Sequence, residues 1–290
     1  IASTHATILC FSDLGKVYWL KVFHIPLASR NARGRPMVNL LPLDEGERIT
    51  SILPVEGYEE GHFIFMATAR GIVKKTDMQQ FARQRSVGLR ALELEADDWL
   101  VGTAVTDGTC DVMLLSSEGK AVRFQEQAVR AMGRTARGVR GIKLGGEHRL
   151  ISLIVPQADS TILTVSEKGY GKRTDTAEFP CKGRGTKGVI AMATNAKNGP
   201  LVGAVQVSAS DEIMLISDQG TAVRTRVEEI STLGRNTQGV RVIKTRDDEK
   251  LVRLSRIVED DGAVSVEDVA ESADAPESEV SAANGDTGES

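Results

Sequence analysis

Five times along the chain an apolar run ends in a short turn closed by glycine: Ser12-Asp13-Leu14-Gly15, Thr68-Ala69-Arg70-Gly71, Ser116-Ser117-Glu118-Gly119, Ser166-Glu167-Lys168-Gly169 and Ser217-Asp218-Gln219-Gly220. These glycines stand 56, 48, 50 and 51 residues apart. A second glycine follows each one, Gly34, Gly88, Gly138, Gly188 and Gly239, at offsets of 19, 17, 19, 19 and 19 residues. Such a period means one supersecondary unit that cannot bury its apolar face alone and stacks on copies of itself.

Each unit predicts four strands. The opening runs, 8–11, 63–66, 112–115, 162–165 and 213–216, are too short for buried helices and are read as strands covered on both faces. In the turn, the hydroxyl bonds the backbone and glycine supplies the positive φ that closes the hairpin. A second strand follows, such as 221–226, alternating small or apolar with basic. Ten residues past each turn glycine stand Ile25, Phe81, Val129, Phe179 and Ile230, expected to anchor a long loop to the blade. After the second glycine a third strand is expected, with Val38, Leu92, Ile142, Met192 and Ile243 inward. Its next positions, Asn39, Glu93, Lys143, Ala193 and Lys244, are expected to face outward. A polar turn leads to a fourth apolar strand at 49–55, 100–105, 150–155, 201–207 and 251–257.

Four strands at this period make a propeller-like blade. Helical character is expected only as a turn around 125–132. The fold class is therefore all-β, with blades at 1–57, 58–107, 108–157, 158–208 and 209–258 forming one domain and a tail at 259–290. Whether five blades close into a disc or form a spiral stays open.

The formal net charge of −4 averages two opposites. From Glu259 onward there are eleven acidic residues and no Lys or Arg, which leaves 36 basic against 29 acidic in the body, a net of +7. The tail also has no aromatic residue, so it is expected to be disordered. No apolar stretch is long enough to span a bilayer and no signal peptide is read, so a cytoplasmic location is expected. Cys10, Cys110 and Cys181 sit in different repeats and are expected to be reduced and structurally buried. His5, His24, His62 and His148 fall at unrelated repeat positions, so no metal site is expected. A phosphate-binding loop ending in Gly-Lys-Ser/Thr is missing, so no ATP site is expected either.

The basic residues keep register. Four residues before the second glycine stand Arg30, Arg134, Arg184 and Arg235; the second repeat has Gln84 there, flanked by Arg83 and Arg85. Arg33, Arg137 and Lys187 immediately precede the glycine, and Arg35, Arg90, Arg140 and Arg241 follow within two residues. Arg130 and Lys182 lie in the same loops. A second column runs along the second strand at Lys74, Lys75, Arg123, Lys172, Arg173 and Arg224. Rotation between blades turns each column into a ring of charge. Glycine beside arginine is read as letting the backbone approach a phosphate. Trp19 and Trp99 do not recur between repeats, so stacking platforms for single strands are lacking and a duplex is the better fit. Binding is then expected to depend on charge and DNA deformability rather than on base readout. On these residues alone, a protein-binding propeller with a basic rim is the competing reading.

The stretches Ala32-Arg33-Gly34-Arg35-Pro36, Val129-Arg130-Ala131-Met132-Gly133, Gly138-Val139-Arg140-Gly141, Gly169-Tyr170-Gly171-Lys172-Arg173-Thr174 and Gly234-Arg235-Asn236-Thr237-Gln238-Gly239 resemble the repeats of the C-terminal domain of bacterial DNA gyrase A. The resemblance covers residues 7–258. It implies a β-pinwheel in which neighbouring blades exchange a strand, and a rim that binds and bends double-stranded DNA. The bent segment would be presented to the gyrase holoenzyme, a type II topoisomerase, for ATP-dependent negative supercoiling. The implied partners are the gyrase B protein and the remainder of gyrase A in a heterotetramer. The catalytic tyrosine belongs to another domain, ATP and Mg2+ are used elsewhere in the holoenzyme, and this domain by itself is no enzyme and takes no cofactor. An acidic tail also suits the family. Gyrase pinwheels resemble a six-bladed plan whose first blade carries an Arg- and Gly-rich loop, the gyrase box. The nearest look-alike, Gln84-Arg85-Ser86-Val87-Gly88-Leu89-Arg90, is in the wrong blade and lacks the paired glycines, so the box is expected upstream of this chain. The corresponding domain of topoisomerase IV resembles five blades without the box. The Arg-Gly loops of four blades and the tail favour gyrase over it. Propellers of the kelch or chromosome-condensation-regulator type carry recurring Gly-Gly or aromatic signatures, which are missing here.

The tail generates a prediction of its own. A flexible segment of this length reaches roughly 30 Å, far enough for its carboxylates to compete with DNA for the basic body. Deleting 259–290 is expected to raise duplex affinity at low salt, with the gain vanishing as salt screens the tail. Titration of labelled duplex checks this, and equal affinity at low ionic strength would leave only a solubilising role.

Overall fold

The computed structural model describes residues 2–28, 34–246 and 248–257; Arg30, Arg33 and the acidic tail lie outside them. Every apolar run is a strand. The first repeat gives β1 (Thr7–Ser12), β2 (Lys16–Lys21) and β3 (Ile49–Val55), and the second β4 (Phe63–Thr68), β5 (Ile72–Asp77), β6 (Leu89–Arg90) and β7 (Leu100–Thr106). The third repeat gives β8 (Asp111–Ser116), β9 (Lys120–Gln125), β10 (Val139–Arg140) and β11 (Leu150–Ile154). The fourth gives β12 (Thr161–Ser166), β13 (Tyr170–Asp175), β14 (Val189–Ile190) and β15 (Leu201–Val207), and the fifth β16 (Glu212–Ser217), β17 (Ala222–Arg226), β18 (Val240–Arg241) and β19 (Leu251–Ile257). Short 3-10 turns such as Met78–Phe81 and Glu126–Ala128 follow the second strand of every repeat, and no α-helix occurs among the described residues.

The third strand is only two residues long, and it does not join its own repeat. The sheets run β3-β1-β2-β6, β7-β4-β5-β10, β11-β8-β9-β14 and β15-β12-β13-β18, so each is finished by the repeat that follows. Val139 and Arg140, for example, lie antiparallel to Val73 and Ile72 of the blade before. The fifth sheet, β19-β16-β17, has three strands among the described residues. In the first repeat the expected third strand is instead a 3-10 turn, Met37–Asn39, with Val38 exposed.

Glycine spacing follows from this exchange. The carbonyl of Gly119 accepts the N–H groups of Ala191 (2.8 Å) and Met192 (3.1 Å) from the next repeat. Gly119 has φ +82°, and a Cβ there would stand 2.3 Å from the Met192 carbonyl oxygen. The second glycine closes the same seam from the other side: at Gly188 a Cβ would meet the Ala121 oxygen at 2.2 Å. Gly220 and Gly34, by contrast, have nothing within 4 Å of that position among the described residues.

The core accordingly lies between blades. Phe81 packs with Leu9, Phe11 and Val17 of the first repeat, its ring edge-on to Phe11 at 6.1 Å. Val129 and Phe179 are buried in the same way against a neighbouring repeat, whereas Ile25 is exposed because no described blade precedes it. Leu92, Ile142 and Met192 are buried as expected, and Ile243 is half-buried. The fifth opening run is not covered on both faces: β16 alternates buried and half-buried residues, with no further repeat packed on it among the described residues. The fourth strands of all five repeats line a central opening of about 460 Å³, and an apolar cleft of about 360 Å³ separates Arg253 of the last blade from Ile8, Cys10 and Met37 of the first.

Gly119→Ala and Gly220→Ala therefore separate two effects. Gly220→Ala is expected to lower stability by roughly 1–2 kcal/mol, the cost of a left-handed non-glycine residue. Gly119→Ala adds a collision with backbone and is expected to cost clearly more. Urea melts compare the two, and equal losses would contradict the seam.

Candidate nucleic-acid interface

The two basic columns read from the sequence have different fates. On the second strand, Lys74, Lys75 and Lys172 are buried, which corrects their assignment as phosphate ligands. Lys74 Nζ donates to the carbonyls of Ala91 (2.7 Å) and Arg134 (2.5 Å), and Lys172 Nζ to those of Gly234 and Arg235 (2.5 Å each). Desolvation draws both ammonium groups down from 10.5 to about 8. A cation held below its unfolded pKa costs stability while charged, so this contribution improves as pH rises from about 8 towards 10.5. Lys75 lies 3.2 Å from the buried Glu126, which also accepts from Thr106 Oγ1 and the Cys110 N–H.

Arg123 and Arg173 are corrected likewise: both are half-buried clasps between blades. Arg123 Nε binds Asp111 at 2.8 Å while its Nη1 donates to the carbonyls of Thr176 (3.1 Å) and Phe179 (3.3 Å) of the next repeat. Arg173 donates to the carbonyls of Ile230 and Glu228 in the same manner. In the first blade the indole of Trp19 takes this place, donating to the Phe81 carbonyl at 3.0 Å. No sequence signal links Trp19 to the arginine column beyond its shared offset from the turn glycine. Arg224, in the last blade, is exposed and ion-paired with Glu212.

The loop column stays outside. Arg35, Arg85, Arg90, Arg130, Arg137, Arg140, Lys182, Lys187 and Arg241 are all exposed. Arg90, Arg140 and Arg241 occupy the second residue of β6, β10 and β18, one equivalent rim position in successive sheets; β14 has Ile190 there. Arg137 pairs with Glu93 at 3.3 Å, and Arg241 donates to the Tyr170 hydroxyl at 3.0 Å while lying 5.2 Å over its ring. Lys143 and Lys244, which the sequence placed merely as outward-facing, are exposed five residues past the second glycine and add charge beside this row.

Arg134, Arg184 and Arg235 are half-buried. Arg184 donates to the carbonyls of Ala128 (2.9 Å) and Arg140 (3.0 Å), and Arg235 to that of Ile190 (3.0 Å). A guanidinium has five N–H groups, so Arg184 and Arg235 each staple their loop to the preceding repeat with part of that capacity. The second glycines beside these residues serve the seam: a side chain on Gly188 would strike Ala121, so the close approach it permits is to a neighbouring strand rather than to a phosphate. Cys10 is buried and its thiol is pushed up to about 11, Cys110 is half-buried, and Cys181 is exposed, against the expectation of burial. Tyr18 is buried, with its hydroxyl donating to Glu47 at 2.8 Å. No helix among the described residues is long and apolar enough to cross a membrane.

A family model described as "DNA gyrase C-terminal domain, beta-propeller" matches five successive segments, 6–56, 62–107, 111–157, 160–208 and 211–257. Among curated relatives, the DNA gyrase A protein of Salmonella typhimurium is 58% identical over 259 residues, covering 89% of this chain and 30% of the relative. The chain thus spans about a third of the length of the relatives it matches. Two solved structures share the fold: a DNA gyrase A C-terminal domain (TM-score 0.76, 26% identity, 89% of this chain and 84% of that one) and the C-terminal domain of DNA topoisomerase IV (0.80, 25%, 88% and 80%). Shape alone does not separate these two, whereas sequence identity lies with gyrase.

The division into clasp and rim is open to measurement. Arg123→Ala is expected to lower stability by roughly 2 kcal/mol, since it breaks charge-assisted bonds to a carboxylate and two carbonyls. Arg140→Ala is expected to stay within about 0.5 kcal/mol, as exposed substitutions do. Chemical denaturation of the two variants decides, and a similar loss from both would refute the division.

Proposed function

Because the chain belongs to the DNA gyrase C-terminal domain family, we propose that its rim binds duplex DNA through phosphates and bends it, presenting the segment to a gyrase holoenzyme for ATP-dependent negative supercoiling. The observation that supports this reading is the exposed row of Arg90, Arg140 and Arg241 on equivalent exchanged strands, with Arg130, Arg137, Lys182 and Lys187 in the loops beside it. Charges repeated at one blade position follow a curved edge, and a backbone that follows that edge is bent. Few aromatic side chains accompany the row, so base stacking adds little and sequence-independent contact is the natural mode.

Strand cleavage belongs in this reading to the remainder of gyrase A, with gyrase B as the ATP-using partner in a heterotetramer and Mg2+ employed there. The domain itself is non-catalytic, takes no cofactor and works in the cytoplasm. The non-catalytic reading is supported by Tyr18 and Tyr170, whose hydroxyls are engaged by Glu47 and Arg241. The topoisomerase IV assignment is not favoured, given the extent of identity with gyrase A.

Salt titration tests the rim. Neutralising one or two phosphates per blade gives about 5–10 contacts and a slope of log K against log salt of roughly −4 to −9. Arg140→Ala or Arg241→Ala is expected to reduce that slope by about one without creating sequence preference. A wild-type slope shallower than about −2, or strong preference for one duplex over scrambled controls, would overturn the proposal.

A further inference from the structure

Of the three buried lysines, Lys75 is paired with Glu126, whereas Lys74 and Lys172 donate to backbone carbonyls and have no part in the rim. Lys74 and Lys172 stand three residues past the turn glycine in the second and fourth blades; the other blades have Tyr18, Val122 and Val223 there. Val122 is buried at this position without any charge, so strand packing does not require an ammonium. A desolvated cation is costly unless its donors are satisfied. These donors are satisfied by backbone carbonyls, and the carbonyls belong largely to the rim loop of the next blade. Lys74 holds the carbonyl of Arg134, and Lys172 those of Gly234 and Arg235. Arg134 and Arg235 are two of the loop arginines that stand four residues before a second glycine.

We propose that Lys74 and Lys172 are positioning residues for DNA binding, each reaching from one blade to fix the loop arginine of the next. This rests on the DNA reading above. The ammonium groups touch no phosphate; they order the loop before DNA arrives, so less conformational freedom is lost on binding. The intervening loop is arranged differently. Its predecessor blade supplies Val122, and Arg184 steadies the loop with its own guanidinium on Ala128 and Arg140. The loops of Arg134 and Arg235 are thus set by a lysine of the preceding blade, the second of them also by Arg235 on Ile190, whereas the Arg184 loop has no such lysine and provides an internal control.

The test is a double-mutant cycle on the full 290-residue chain with a mixed-sequence duplex. Lys74→Met keeps volume and removes the donors. It is expected to weaken binding roughly three- to tenfold, and Arg134→Ala is expected to cost less in that background than in the wild type. Arg184→Ala is expected to give the same fold-change in both backgrounds. Unchanged affinity for Lys74→Met, or equal additivity with Arg134→Ala and Arg184→Ala, would overturn the positioning role. If Arg134→Ala has no effect in the wild type while Arg140→Ala does, the DNA reading fails at that loop and the proposal falls with it; no effect from either variant sinks the rim itself. Should Lys74→Met fail to fold, Lys74→Gln retains an amide donor without charge and is expected to rescue part of the loss. Lys172→Met with Arg235→Ala repeats the cycle independently in the fifth blade.

Discussion

The carbonyl of each turn glycine, from Gly15 to Gly169, accepts two N–H groups from the repeat that follows, and the rest of the array is arranged around that pair of bonds. It forces close backbone approach, which is why a side chain is excluded at Gly119 and, from the opposite side, at Gly188. It brings the next repeat's two-residue strand onto the outer edge of the sheet. It also draws the following long loop alongside the second strand, where Met132, Lys182 and Leu233 donate to the carbonyls of Lys75, Arg123 and Arg173. The apolar column led by Phe81 is then sealed between blades rather than within one. Packing, turn chemistry and loop placement are consequences of a single inter-repeat contact.

That contact explains what could be read from residues and what could not. Strand runs and turns are local, set by apolar stretches of four residues and by the glycine that closes the turn after them, and they are legible. Burial of Leu92, Ile142 and Met192 follows from alternation and is legible too. The destination of the exchanged strand is not, because its partner lies a full repeat away and two residues carry no pattern. The second basic column misleads for a related reason. Alternation in 221–226 describes a half-exposed strand, and β17 is one. In β5 and β13 the same register is covered by the next repeat, and the carbonyls that accept from Lys74 and Lys172 leave no mark in composition.

The charge of the body has to be divided before it is interpreted. Lys74, Lys75, Lys172, Arg123 and Arg173 are committed to carbonyls and carboxylates between blades, so they hold the scaffold and contribute to the outer field only from depth. The exposed set lies on the exchanged strands and loops. Those elements are placed by backbone hydrogen bonds to the preceding blade, and long flexible side chains are thereby mounted on a rigid edge. Electrostatic attraction of a phosphate backbone needs little more precision than this, because such contacts fix position and carry no base information.

Strand exchange also gives the array a direction in time. A blade of this kind is one strand short until its successor exists, and synthesis proceeds from the first repeat towards the last. As the chain emerges from a ribosome, the hairpin of one repeat can form at once, yet its outer edge stays open until nearly a whole further repeat has been made. Stability therefore lags translation by one unit along the entire domain. The most recently made blade is always the incomplete one, and the sheet β19-β16-β17, with three strands among the described residues, shows what that condition looks like.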